Sequence, residues 1–251
     1  MARYDFRTPR LFMDAELGAG AELPLGREQI NYVQNVLRLE PGAAVLVFNG
    51  RDGEWRATLT GTRRSAVLTV ETQTRPQTAA GDLVYAFAPL KHARLDYMVQ
   101  KAVEMGASAL APVMTQHTQV TRVNLDRMRA NVIEAAEQCG ILSVPAVHEP
   151  IAFARWLAAL EAGRLLVFCD EDAEIADPVE ALQRAPEGAV ALLIGPEGGF
   201  AETERKALLA HERIVRLSLG PRILRADTAA VAALALVQAV RGDWRAPAIS
   251  H

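Results

Sequence analysis

From Asp82 onward the chain alternates strand-length apolar runs with amphipathic ones, and this alternation limits the fold more than any other feature. DLVYAFAPL, ALAPVMT, RLLVFCD, GAVALLIG and RIVRLSLG are the strand candidates. Strands this apolar must be covered on both faces. The segments between them carry helical patterns. In ARLDYMVQKAVEMG, residues Leu95, Met98, Val99, Ala102 and Val103 recur at helical spacing, and Gly106 falls where a helix ends on a left-handed residue. LDRMRANVIEAAEQCG reads as a helix closing at Gly140, and FARWLAAL and ETERKALLAH as further helices. DTAAVAALALVQAV is the last helix, with Asp227 or Thr228 as its N-cap. The fold class is therefore α/β, a parallel sheet wrapped by helices.

Before Asp82 the rhythm differs. Pro41-Gly42 marks a turn, AAVLVFNG (Ala43–Gly50) a strand, RDGEWRATLTG a second strand and SAVLTVET a third. Short strands with glycine turns at this spacing predict a small β-barrel. One helical insert, REQINYVQNVLRL (Arg27–Leu39), puts Ile30, Val33, Val36 and Leu37 on one face. TRPQTAAG (Thr74–Gly81) interrupts the pattern and predicts two domains, 1–75 and 76–251.

Charge narrows the partners. The 251 residues carry a formal net charge of −3, so no global basic field advertises nucleic acid. Residues 1–75 hold ten Lys and Arg against nine Asp and Glu, and the remainder seventeen against twenty-one. Any contact with nucleic acid must use local patches. Cys139 and Cys169 lack the paired spacing of a zinc site and read as small buried thiols. The N-terminus has no basic-then-apolar signal pattern, and the apolar run Ala229–Val237 is too short to span a bilayer. A cytoplasmic protein without membrane or metal partners is expected.

Ligands of open α/β sheets sit beyond the carboxyl ends of the strands. Two strand ends are unusual here: GPEGGF (Gly195–Phe200) and SLGPRILRADTAA (Ser218–Ala230). Glycines let a backbone approach a ligand closely. The first turn lacks the Lys and Ser/Thr of a phosphate-binding loop and carries Glu197, which would repel phosphate. In the second, Ile223 and Leu224 are placed to wall an apolar pocket, with Arg225 as a cation at its edge.

LLIGPEGGF and LSLGPRILRADTA, with DYMVQKAVEMG and EAAEQCG, resemble the bacterial 16S ribosomal RNA uracil-N3 methyltransferases of the SPOUT class. The resemblance spans nearly the whole chain, including VLR…PG…VFNG at Val36–Gly50. It implies a C-terminal trefoil knot, a PUA-like N-terminal barrel that binds RNA, a homodimer, and S-adenosylmethionine as cofactor. The implied cofactor contacts are Ile194, Gly195, Pro196, Glu197, Gly198, Gly199, Ser218, Leu219, Gly220, Ile223, Leu224 and Thr228. Methyl transfer to uracil N3 requires loss of the N3 proton. Arg225 is the candidate cation for the uracil anion, and Asp227 or Glu197 the candidate proton acceptor. An N-cap role for Asp227 stays open beside the catalytic one. Four positions depart from the family pattern: Asp227 replaces Glu, Ala226 replaces Thr, Ile141 follows EQCG in place of Arg, and Tyr32 replaces a His before VLR.

Candidate contacts to 16S ribosomal RNA are Arg7, Arg10, Arg38, Arg63, Arg64, Lys91 and Arg94, since phosphate contacts need positive charge. His117 reads as a surface or hydrogen-bonded histidine, and Gln100 and Glu104 as exposed or packing residues. Two other readings compete: an RNA-binding protein whose cofactor pocket has decayed, and a SPOUT enzyme that methylates ribose 2′-hydroxyls.

Overall fold

The computed structural model describes residues 7–62, 65–91, 93–175 and 177–245. The chain forms two compact units. Among the described residues, one comprises 7–79 together with Ala136–Val144; the other comprises Ala80–Ala135 and 145–245.

The first unit is a five-stranded curled sheet in the order β1-β3-β4-β5-β2, the half-barrel form of the expected small barrel. Its strands are β1 (Arg10–Phe12), β2 (Glu22–Pro24), β3 (Ala44–Phe48), β4 (Glu54–Thr62) and β5 (Ser65–Arg75). Alternation sends Val45, Val47, Ala57, Leu59, Leu68 and Val70 to one face, where they pack with Leu11, Leu23 and Val33. The helical insert is shorter than its pattern suggests. Helix α1 covers Arg27–Asn31, and the chain then widens into a π-type turn over Tyr32–Val36, with Leu37 N–H donating to the Tyr32 carbonyl at 2.9 Å. The extra residue in that turn shifts the phase. Val33 is fully buried, but Val36, expected beside it, is 61% exposed.

Residues 136–144 belong to this unit through a buried ion cluster. Arg10 Nε and Arg75 Nη2 both donate to Glu54 Oε2 at 2.7 Å. The two guanidiniums also bond the carbonyls of Ala136, Glu137, Gly140 and Ile141. The last carbonyls of a helix have no partner within it, and its negative end favours cations. Phe48 packs with Ala136 and Leu142 beside this cluster. Cys139 is exposed, contrary to the buried thiol expected, because it lies in this helix-ending segment rather than in either core.

The second unit holds a parallel sheet in the order β12-β10-β11-β6-β7-β8, with β9 pairing β7. Its strands are β6 (Leu83–Phe87), β7 (Ala109–Met114), β8 (Ala146–Val147), β9 (Ile151–Ala152), β10 (Leu165–Cys169), β11 (Val190–Ile194) and β12 (Ile214–Leu217). Helices α2 (Ala93–Glu104), α3 (Leu125–Gln138), α4 (Phe153–Ala158), α6 (Glu202–Leu209) and α7 (Ala226–Arg241) fall on the patterns read from sequence. A further helix, α5 (Pro178–Arg184), is capped by Asp177, whose carboxylate accepts from the Val179 and Glu180 amides. One sheet face packs Ala86, Val113, Phe168 and Leu193 against Phe153 and Trp156 of α4 and Leu208 of α6. Ala229, Ala230, Ala233, Leu234 and Val237 make the buried side of α7. No described helix is long and apolar enough to cross a membrane.

Candidate functional site

Strands β11 and β12 flank β10, and the chain leaves both at the carboxyl edge of the sheet. The first exit is the Gly195–Gly199 turn. The Ile194 carbonyl is anchored by the Ala88 N–H at 2.9 Å, which ties the end of β11 to the segment after β6. Gly195 has no room for a side chain: a Cβ there would lie 2.8 Å from the Phe200 ring. That ring is wedged between Phe153 and Phe168, with centroids 6.0 and 6.1 Å away. Gly199 closes the turn, its N–H donating to the Pro196 carbonyl at 2.9 Å, with φ at +71°, where a side chain is strained.

The second exit runs from Ser218 to Arg225. Gly220 turns it at φ +89°. Leu224 is half-buried, but Ile223 is 94% exposed and walls no pocket within the single chain. Arg225, also exposed, is the N-cap of α7 in extended conformation with no side-chain cap bond. This corrects the expectation that Asp227 or Thr228 caps the helix. Asp227 sits inside the first turn, where its carboxylate accepts from the Thr228 N–H at 2.9 Å and gains from the helix dipole.

Arg94 joins the two exits. From the first turn of α2 its Nη1 donates to Glu197 Oε1 at 2.6 Å, and its Nε lies 4.0 Å from Asp227 Oδ2. Both candidate proton acceptors thus face one guanidinium. Arg94, expected to contact RNA, is held by these carboxylates. Arg225 is not drawn into the same cluster.

Below the exits, Asp170 follows β10 and fixes its neighbours. Its carboxylate accepts from Arg216 Nε at 2.7 Å and from Arg205 Nη2 at 3.0 Å. Burial alone would raise its pKa, but the hydrogen bonds from Arg216, the Asp172 amide and Arg205 outweigh that and hold it below the usual carboxylate range. Desolvation, with the Asp170 charge adding, pushes the Cys169 thiol up to about 12, so this thiol is inert at neutral pH. Tyr85, on β6, is fully buried and stacked on Phe87, and its hydroxyl has no hydrogen-bond partner among the described residues. Burial, then Cys169 and Asp227, raise that hydroxyl well above 10.

Of the candidate RNA contacts, Arg7, Arg38 and Lys91 are exposed. Arg10 is not available to phosphate. It is 7% exposed, committed to Glu54 and to three carbonyls, and stacked over the Phe48 ring. Arg63 and Arg64 lie outside the described residues. A cleft of about 670 Å³ opens at the start of α3, lined by Arg122, Val123, Asn124, Leu125, Asp126 and Arg129. It shares no residue with the two exits, whose chemistry makes them the better candidate. Among the described residues no group of three or more His, Cys, Asp or Glu gathers as metal ligands do.

Comparison with known proteins bears on this arrangement. The RNA methyltransferase domain family matches residues 77–238, and the RNA methyltransferase PUA domain family matches residues 25–71. The chain is 29% identical over 233 residues to ribosomal RNA small subunit methyltransferase E of Rickettsia conorii, covering 91% of this chain and 94% of that one. With the Synechocystis enzyme of the same name it shares 30% over 236 residues, covering 92% and 77%. The crystal structure of a ribosomal RNA small subunit methyltransferase E from Neisseria gonorrhoeae bound to S-adenosyl methionine superposes with a TM-score of 0.84 at 28% identity, covering 95% of this chain and 100% of that one.

Proposed function

From the premise that this chain belongs to the RNA methyltransferase family, in the group of ribosomal RNA small subunit methyltransferases E, we propose that it methylates N3 of a uracil in 16S ribosomal RNA with S-adenosylmethionine as donor. The observation that carries this reading is the convergence of two glycine turns at the ends of the two strands that flank β10, joined by Arg94 between Glu197 and Asp227.

The residues present fit the cofactor. A nucleoside needs backbone groups at close range, and Cβ positions at Gly199 and Gly220 open into free space. Buried Ile194 and Leu217 give an apolar floor, and two carboxylates suit a ligand that carries a sulfonium and an ammonium. When bound, S-adenosylmethionine supplies an electrophilic methyl group. Ile194–Gly199, Ser218–Gly220, Leu224 and Thr228 would hold it.

The chain's own residues must position the uracil, remove its N3 proton and stabilise the resulting anion. Arg225, exposed at the mouth of the second exit, stabilises the anion. Of the two carboxylates, Glu197 is bound to Arg94 at 2.6 Å while Asp227 stands 4.0 Å from it. Asp227 is the less committed to Arg94, but its carboxylate also accepts from the Thr228 N–H at 2.9 Å, so Asp227 and Glu197 are both placed to take the proton. The first unit holds RNA through Arg7, Arg38 and neighbouring charges. The functional form is a homodimer, in which the exposed Ile223 meets a second subunit, and the C-terminal chain is knotted.

Calorimetric titration of the folded protein with S-adenosylmethionine tests this. Saturable one-to-one binding per chain is expected, and absence of binding would exclude the methyltransferase reading. Loss of N3-methyluridine from ribosomal RNA of cells lacking the protein is expected; loss of a ribose 2′-O-methyl group instead would reassign the target atom.

A further inference from the structure

Beneath the cofactor turn lies a second turn that neither glycine motif contains. Thr115–Thr118 follows β7 and is closed on itself three times. Thr118 N–H donates to the Thr115 carbonyl at 3.1 Å, Thr115 N–H donates to Thr118 Oγ1 at 3.0 Å, and the two hydroxyls meet at 2.8 Å. Thr115 is 7% exposed, so its polar atoms depend on these bonds. Of the two central residues of this braced turn, one bonds the first turn of α6 and the other the cofactor loop. The Gln116 N–H donates to Glu204 Oε1 at 2.8 Å, while Glu204 Oε2 takes the Ala201 N–H at the start of α6. His117 Nδ1 lies 3.0 Å from the Gly199 carbonyl.

A carbonyl oxygen can only accept, so Nδ1 of His117 carries the proton. The imidazole also covers the neighbouring glycine: a Cβ at Gly198 would lie 3.5 Å from the His117 Cβ. Two turns therefore sit face to face, each closed by its own backbone bond, with one side chain bonding across. The position is exposed, and a core-packing role does not account for a histidine there. Gly199 is the residue whose left-handed backbone decides the shape of the cofactor turn. A donor fixed on its carbonyl fixes that shape before a ligand arrives, and a preformed site does not spend binding energy on ordering.

We propose that His117 is a positioning residue for the cofactor turn, holding Gly199 in its binding conformation through an Nδ1–H bond. The proposal rests on the reading of Gly195–Gly199 as part of the S-adenosylmethionine site. It predicts an effect on cofactor affinity, not on the methyl-transfer step.

The test uses the full-length protein, S-adenosylmethionine titration and steady-state methylation of ribosomal RNA. Losing one hydrogen bond that acts only on binding should raise the Kd of His117→Ala about three- to tenfold. KM for S-adenosylmethionine should rise in step, while kcat at saturation stays within about twofold of the wild type. His117→Asn carries an amide N–H at nearly the place of Nδ1–H and should restore Kd to within about twofold. Thr118→Val, which loosens the braced turn without touching the cofactor loop, should weaken binding in the same direction. An unchanged Kd in His117→Ala overturns the proposal. So does equal weakening in His117→Asn and His117→Ala, or a fall in kcat with Kd unchanged. If the wild-type protein itself does not bind S-adenosylmethionine, the functional reading fails and the proposal with it. Normal wild-type binding with an indifferent His117→Ala sinks the proposal alone.

Discussion

Replacing Glu54 by Ala tests whether Arg10 is a structural cation or an RNA-binding one. The side chains of Glu54 and Arg10 are 1% and 4% exposed, so neither charge can turn to water. Arg75 is 19% exposed and has some access to solvent. Removing one partner of a buried pair costs about 3–5 kcal/mol, because the other charge is left uncompensated. Arg10 keeps its bonds to Ala136, Glu137 and Ile141, which places the expected loss near the lower end, about 3 kcal/mol. Urea unfolding followed by far-ultraviolet circular dichroism reads this as a drop in midpoint. Replacing the pair together, Arg10→Met with Glu54→Leu, should recover part of the loss: the two fully buried charges go together, while Arg75 loses its carboxylate but keeps the Gly140 carbonyl and some access to solvent. RNA binding supplies the second arm. If Arg10 neutralised a phosphate, Arg10→Met would flatten the log–log salt dependence of RNA affinity by about 0.7–0.9; a structural cation leaves that slope unchanged. A cost below about 1 kcal/mol for Glu54→Ala, or a flattened slope for Arg10→Met, would refute the reasoning.

Acid should unfold the protein through two carboxylates in particular. Burial opposes ionisation of Glu54 and Asp170, but arginine hydrogen bonds outweigh it and hold both below their ordinary pKa. Their stabilisation is therefore complete above the ordinary carboxylate value of about 4 and is lost as pH falls through the lowered folded values. Asp170→Asn should reduce the acid dependence of stability between those limits, measured by urea midpoints across pH. Gly199→Ala, at φ +71°, should strain the cofactor turn by about 1–2 kcal/mol and weaken S-adenosylmethionine binding about tenfold in calorimetry. A double-mutant cycle of Arg94→Met and Glu197→Gln should show coupling of about 0.2–1 kcal/mol in thermal stability, the range of exposed pairs, since both side chains are nearly half exposed.

Most of the second unit is legible in the sequence because run length and helical period are local properties. Leu95, Met98, Val99, Ala102 and Val103 of α2 are buried as their spacing predicts. Helix α5 is signalled only by Asp177-Pro178, since its seven residues are too few to show a helical period. Strands β8 and β9 are two residues each, too short to leave a periodic trace. The exposure of Val36 is hidden because a widened turn changes the phase while leaving composition untouched. At the site, the glycine turns are visible as unusual strand ends, and the family resemblance gives them meaning. The charge that joins them is not visible. Arg94 is 103 residues from Glu197, and His117 is 82 residues from Gly199. Nothing local distinguishes a surface arginine from one placed by the fold between two acids. Arg10 reads as a surface cation for the same reason: its burial follows from a helix end 126 residues away.

The Phe200 ring occupies the volume that a side chain at Gly195 would need, and its other edges rest on Phe153 and Phe168. The apolar interior and the Gly195–Gly199 turn therefore share a wall one ring thick. A substitution at Phe168 that lets the ring settle deeper would loosen the backbone at Gly195 without touching the ligand, and one that crowds it would push the backbone outward. Stability and the shape of the Gly195–Gly199 turn are mechanically geared at this layer. Selection for a tighter interior here is also selection on the shape of the binding turn.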